Sequence, residues 1–285
     1  MVFPFAFGAA LVLATTQASS PADTQAIVVE GTNPRRRANT YLDHVLPSIF
    51  DGQIGRFEDP LCPATIGLPD NLKDEVLKRL KLVAGVARIP VDAGKCTANL
   101  VIIVVDDKKA LIEGMRRKKE SYLYGIGAER VSQLANSPTP VAAWQITDVI
   151  GADGMPLRTD GDGFPRLFTT VPPSRVVQTT RKRITGGVVV IEQRGLVNVT
   201  TRQLADYALV RLLAPMVKER TPPDSSVLSL FNQGVRPEEA PQSLTWWDLA
   251  FLKALSDTRS DVVADVQRHE IRDKMLQEMT KVPQE

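Results

Sequence analysis

Residues 186–216 read GGVVVIEQRGLVNVTTRQLADYALVRLLAPM, and this stretch decides the fold. Val188, Val189, Val190 and Ile191 are all β-branched, which predicts a buried strand over 188–192. Thr200 and Gln203 have the spacing of a capping box, so a long helix is predicted to begin there. Leu204, Ala205, Ala208, Leu209, Leu212, Leu213 and Met216 recur at helical spacing and give it one broad apolar face. Pro215 and the Thr221-Pro222-Pro223 turn mark its exit.

The rest of the chain supplies partners for this unit. Residues 99–105 (NLVIIVV) form the most continuous β-type run and read as a central strand. A strong helix precedes it, capped by Asp70 or Asn71 and running to Ala87. Its stripe is Leu72, Val76, Leu77, Leu80, Val83, Ala84 and Ala87, with Lys73, Lys78, Arg79 and Lys81 toward water. Residues 38–50 read as a helix carrying His44, residues 26–30 (AIVVE) as a short strand, and residues 141–150 as a strand. Residues 175–184 and 187–193 are expected to pair as a hairpin through Thr185-Gly186-Gly187. The insert 151–173 is rich in Asp-Gly turns. Asp160 and Asp162 open it like a calcium loop, but its twelfth position is Val171 instead of Glu, so turn chemistry is the reading taken. Thr245 caps a helix over 246–256, whose Trp246-Trp247 pair serves either core filling or a ligand groove. The last helix, 261–279, is dense in charge and expected on the surface. The sum is an α+β fold: one mixed β-sheet packed with several helices, a helical C-terminus, and a single domain over 38–285.

The N-terminal residues 3–14 (FPFAFGAALVLA) are too short to span a bilayer and suit a signal-peptide core, with residues 1–18 removed and 19–37 flexible. No Lys or Arg precedes the run, and a buried N-terminal strand or helix is the competing reading. No later segment approaches a membrane span. In an exported chain the two cysteines, Cys62 and Cys96, favour a disulfide over two separate thiols. The expected location is therefore periplasmic or secreted. A net charge of +2 gives no electrostatic case for nucleic-acid binding; the partner is left open, with a protein or the cell envelope as the candidates.

Chemistry-bearing motifs are sparse. The chain lacks a P-loop, a G-x-G-x-x-G fingerprint and a Ser nucleophile elbow. It has two histidines; His269-Glu270 is followed by Asp273 where a zinc motif needs its second His. No cofactor or metal is expected. The acids that could meet beside the long helix are Glu192, Asp206 and Asp248. Asp206 has an alternative local reading as a surface partner of Arg202, one turn away.

The order of the strand, residues 203–209 (QLADYAL), 229–232 (SLFN) and 244–249 (LTWWDL) resembles the C-terminal half of secreted bacterial proteins related to zincin metallopeptidases. It also looks like exported α-proteobacterial proteins with no assigned activity. The resemblance covers about the last hundred residues and implies a zincin-like scaffold. A working zincin needs H-E-x-x-H on this helix, two imidazoles one turn apart and a Glu to polarise the metal's water. With 205–209 in that place, Ala205, Asp206 and Leu209 stand where His, Glu and His are required. The resemblance thus implies a scaffold without its zinc. The leading expectation is a non-enzymatic exported binding or envelope-associated module. The alternatives are a carboxylate-dependent hydrolase using Glu192, Asp206 or Asp248, and an anionic-surface binder using the basic clusters at 35–37, 116–119 and 181–183.

Overall fold

The computed structural model describes residues 33–47, 52–92, 94–118, 121–167, 172, 174–216, 222–223 and 225–281. The expected signal segment 1–18 and the strand over 26–30 lie outside these residues. In chain order the elements are α1 (Pro34–Val45), β1 (Arg56–Phe57), β2 (Pro63–Ile66), α2 (Asp70–Val86), β3 (Leu100–Val105), α3 (Lys108–Lys118), α4 (Ala128–Asn136) and β4 (Val141–Gly151). There follow β5 (Arg158–Thr159), β6 (Pro165–Arg166), β7 (Thr180–Glu192), α5 (Thr201–Leu213), α6 (Trp246–Asp257) and α7 (Ala264–Met279). The described residues therefore show the expected α+β content, with a mainly parallel five-stranded sheet and a helical C-terminus.

β7 is the spine of that sheet. β4 runs antiparallel along it from Val141 opposite Ile191 to Gly151 opposite Thr180, with a bulge between Ile146 and Thr147. β1 and β3 both pair with it in parallel and so must share its other edge end to end, and β2 continues outward from β3. Alternation sorts the side chains into two cores. Leu100, Ile102, Val141, Ala143, Val189 and Ile191 face the layer of α1, α2, α5, α6 and α7. Val101, Ile103, Ala142, Trp144, Val188 and Val190 face α3 and α4. Burial on both faces is why β3 and the end of β7 are unbroken apolar runs.

The expected hairpin at Thr185-Gly186-Gly187 is not formed; β7 passes straight through it, paired to β4. The glycines serve close approach instead of a turn. A Cβ on Gly187 would sit 3.3 Å from the Leu212 Cβ, and one on Gly186 would sit 3.2 Å from the Ile146 side chain. The bareness of Gly187 lets α5 lie down on the strand, and that of Gly186 admits Ile146 of β4.

α1 also starts earlier than its apolar pattern implied. Asn33 caps it by accepting from the Arg35 amide (3.0 Å), and Pro34 suits the first helical position. α7 is not a detached surface helix: Ala264, Gln267, Ile271 and Met275 make a buried stripe in the core shared with α1 and α6. Cys62 and Cys96 form a disulfide with Cα atoms 6.0 Å apart, tying the entry of β2 to the entry of β3. Closing a loop of 34 residues stabilises the fold by roughly 3–4 kcal/mol in the chain-entropy model. In the insert, Asp160 accepts from the amides of Asp162 (3.1 Å) and Phe164 (2.9 Å) and pairs with Arg166, closing the β5–β6 turn. Among the described residues, no helix is long and apolar enough to cross a membrane.

Candidate functional site

α5 is where the sequence placed the site, and its geometry differs from a helix with one wet face. Thr200 and Gln203 do form the capping box, each side chain taking the other's amide at 3.1 Å. Every residue from Gln203 to Leu213 is buried, so the polar residues of α5 must find partners inside the protein.

Asp206 is fully buried and pairs with Arg79 of α2, not with Arg202. Its two oxygens accept from Arg79 Nε and Nη2, both at 2.8 Å, and one also accepts from the Leu244 amide at 2.6 Å. Arg79 therefore leaves the solvent-facing row assigned to it, with 26% of its side chain exposed. Hydrogen bonding to Asp206 raises its pKa further above the ordinary arginine value.

Asp248 is buried as completely and accepts from five donors: Tyr41 Oη (2.7 Å), Ser226 Oγ (2.5 Å), the Val227 amide (2.9 Å), and the amide and hydroxyl of Thr245 (3.1 and 2.9 Å). Burial and then the Asp248 charge push the Tyr41 phenol well above its usual pKa. Glu192, at the end of β7, accepts from the Lys108 amide (3.3 Å) and from Arg194 Nε (2.8 Å). The three carboxylates thus belong to three separate networks. Each is engaged in holding backbone or a cation of another segment.

A concave surface lies one step around the helix. A cavity of about 370 Å³ opens between α5, β4 and the single turn of 3₁₀ helix at Val227–Phe231. Glu192, Asp206 and Asp248 do not line it. From α5 it is lined by Tyr207 and Arg211, from β4 by Val141 and Ala143, and from the far side by Leu228, Phe231, Asn232 and Gln233. Tyr207 and Phe231 meet edge to face, centroids 4.6 Å apart. Arg211 donates to the Ala143 carbonyl at 3.3 Å, and Gln145 Nε2 donates to the Leu212 and Ala214 carbonyls at 2.6 Å each, fastening α5 to the edge strand.

Tyr207 and Arg211 stand four residues apart, one turn, on the cavity side. The positions matched to a zinc motif from sequence, Ala205 and Leu209, are instead in the core with Asp206 behind them. Apolar spacing finds the helix but cannot say which side the edge strand will cover, so Tyr207 and Arg211 carry no signal in the sequence that marks them as cavity residues. Of the histidines, His269 lies on α7, half exposed beside Asp265 (3.8 Å), and His44 lies on α1. Among the described residues, no group of three His, Cys, Asp or Glu could hold a metal ion.

Each basic cluster has ion-paired members. Arg35 faces Asp273 (3.7 Å), Arg116 faces Glu113 (3.9 Å), Arg181 faces Glu58 (3.1 Å) and Arg183 faces Asp148 (3.1 Å), while Lys119 lies outside the described residues. Compared with protein-family models, curated proteins and solved structures, the chain has no significant match.

Proposed function

We propose that the chain is a non-catalytic binding protein acting outside the cytoplasm, on a peptidase-like scaffold whose former metal face has become a ligand cavity. The observation that carries this reading is the Tyr207–Arg211 pair. It occupies the one-turn spacing that a metallopeptidase gives to its two imidazoles, on the cavity-facing side of α5, the helix that follows β7. A phenol and a guanidinium are donors for recognition. Neither suits a divalent metal at neutral pH, the phenol being protonated and the guanidinium always charged. The cavity combines an aromatic wall with the amides of Asn232 and Gln233, the mix of apolar lining and few oriented polar groups typical of small-ligand sites. The disulfide supports an oxidising compartment.

The test is native mass spectrometry of the protein purified from the cell envelope, alongside metal analysis and a peptidase assay. A bound small molecule or peptide is expected, and Gln233→Trp, which fills the exposed rim, should abolish its retention without lowering Tm. One equivalent of zinc with peptide-bond cleavage would overturn the proposal.

A further inference from the structure

A second cavity rests on a residue in an unfavourable backbone conformation. At the end of α2 the Ile89 amide donates to the Ala84 carbonyl (2.9 Å) and the Arg88 amide to that of Gly85 (3.1 Å), the two bonds of a Schellman motif. Such an ending needs a left-handed residue after the cap, almost always glycine, and here Arg88 takes it with φ 61°. A non-glycine residue held in this conformation directs attention to its side chain. The Arg88 guanidinium lines a cavity of about 220 Å³ between the end of α2, the start of α6 and the end of α7.

Lys253 and Lys281 line the same cavity, with Glu278 as its one acid. Glu278 lies 2.6 Å from Lys281 Nζ, 3.2 Å from Lys253 Nζ and 3.8 Å from Arg88. Lys281 first, then Lys253, hold its carboxyl below the usual range. Asp257, outside the lining, meets Arg88 at 3.4 Å. Three cations against one carboxylate, or two with Asp257, leave a positive excess. Both Arg88 contacts exceed the ~2.7–2.9 Å of a tight charge-assisted hydrogen bond, so its fork is only loosely committed. Trp246, 56% exposed, lines the cavity as well. Its neighbour Trp247 does the packing instead, stacked on Tyr41 (centroids 6.1 Å apart) and beneath Arg37 (5.2 Å).

We propose that this cavity binds a phosphate monoester on an apolar body, with Arg88, Lys253 and Lys281 taking the phosphate and Trp246 packing against the body. The charge fits, because a phosphate monoester carries about −1.5 to −2 at pH 7. The geometry fits too: a guanidinium fork matches two phosphate oxygens, ammonium groups act as point charges beside it, and an indole offers apolar surface to the body.

The full chain is titrated with phenyl phosphate, followed by tryptophan fluorescence and calorimetry, and tested for co-sedimentation with vesicles containing phosphatidic acid. Benzoate serves as the carboxylate control. The variants are Arg88→Gly, Lys281→Ala and Trp246→Phe. Binding is expected to weaken at least tenfold in Arg88→Gly although its Tm does not fall, since glycine suits the left-handed position. The fluorescence change should vanish in Trp246→Phe. Vesicle binding that needs Arg88, without binding of phenyl phosphate, assigns the phosphate to a lipid headgroup; the reverse assigns it to a soluble ester. The proposal fails if neither phosphate probe binds, if binding is unchanged in Arg88→Gly and Lys281→Ala, or if benzoate binds as well as phenyl phosphate.

Discussion

Asp206 of α5 and Asp248 of α6 grip two consecutive backbone amides, Leu244 N–H at 2.6 Å and Thr245 N–H at 3.1 Å. That dipeptide is the seam between the central helix and the C-terminal helices. Through their other donors the same two carboxylates reach α2 at Arg79 and α1 at Tyr41. Two buried charges with eight donors between them fix how four helices meet. Charge buried without partners would instead be expelled or neutralised.

Replacing Asp206 with Ala strands the Arg79 guanidinium and the Leu244 amide together. Breaking one side of a buried pair costs about 3–5 kcal/mol, and the partial exposure of Arg79 places this case at the lower end. Urea unfolding of Asp206→Ala should show that loss. The double variant Arg79→Met with Asp206→Leu should recover much of it, since an apolar pair leaves no orphan charge. A wild-type urea midpoint in the single variant would remove Asp206 from its role as a clamp.

Tyr41 gives the fold an alkaline limit. Its phenol is held neutral by burial and by the Asp248 charge, so its folded pKa lies above the unfolded value of about 10. Stability from the neutral phenol is fully present below pH ~10 and is lost as pH rises from there through the folded pKa. Tyr41→Phe forfeits a hydrogen bond to a charged group, about 1.5–3 kcal/mol at pH 7, yet should lose stability less steeply above pH 10. Denaturant midpoints from pH 7 to 11 measure both slopes, and parallel curves would contradict the assignment.

Elements held by local rules were legible from the sequence, and those held by distant partners were not. The unbroken run Leu100 to Val105 and the capping boxes at Thr200 and Thr245 carry their own instructions within a few residues. Gly186-Gly187 advertises the absence of a side chain, but its reason lies in Ile146 and Leu212, tens of residues away. Arg79 and Asp206 are 127 residues apart, so local spacing offered Arg202 in its place. Nothing in the sequence marks Arg88 as a left-handed residue, because its place after the helix suits glycine and its side chain gives no local signal. The disulfide was accessible through compartment and count alone.

Gly67 provides a strict backbone test. It has φ +83°, and a Cβ there would collide with the carbonyl oxygen of Val104 on β3. Gly125 has a similar φ, +76°, but open space around it. Gly125→Ala should therefore cost only the left-handed penalty, about 1 kcal/mol. Gly67→Ala adds displacement of a strand carbonyl and should cost at least about 2 kcal/mol more. Thermal unfolding of the two variants separates conformation from contact; equal losses would mean that β3 yields freely at Val104.

The register of α5 relative to its cavity can be tested by installing histidines in two alternative frames. In Tyr207→His with Arg211→His, two imidazoles one turn apart replace residues that line the cavity. That variant should fold, losing about 1 kcal/mol with the bond to the Ala143 carbonyl, and should acquire affinity for zinc or nickel. In Ala205→His with Leu209→His the same spacing falls on residues buried in the core. Each imidazole would then lack a partner at about 1–3 kcal/mol apiece, on top of the packing lost with Leu209. Circular dichroism melts and competition with a chromogenic chelator distinguish the outcomes. Metal held by a folded Ala205→His/Leu209→His protein would put the cavity on the other side of the helix and displace Tyr207 and Arg211 as its recognition pair.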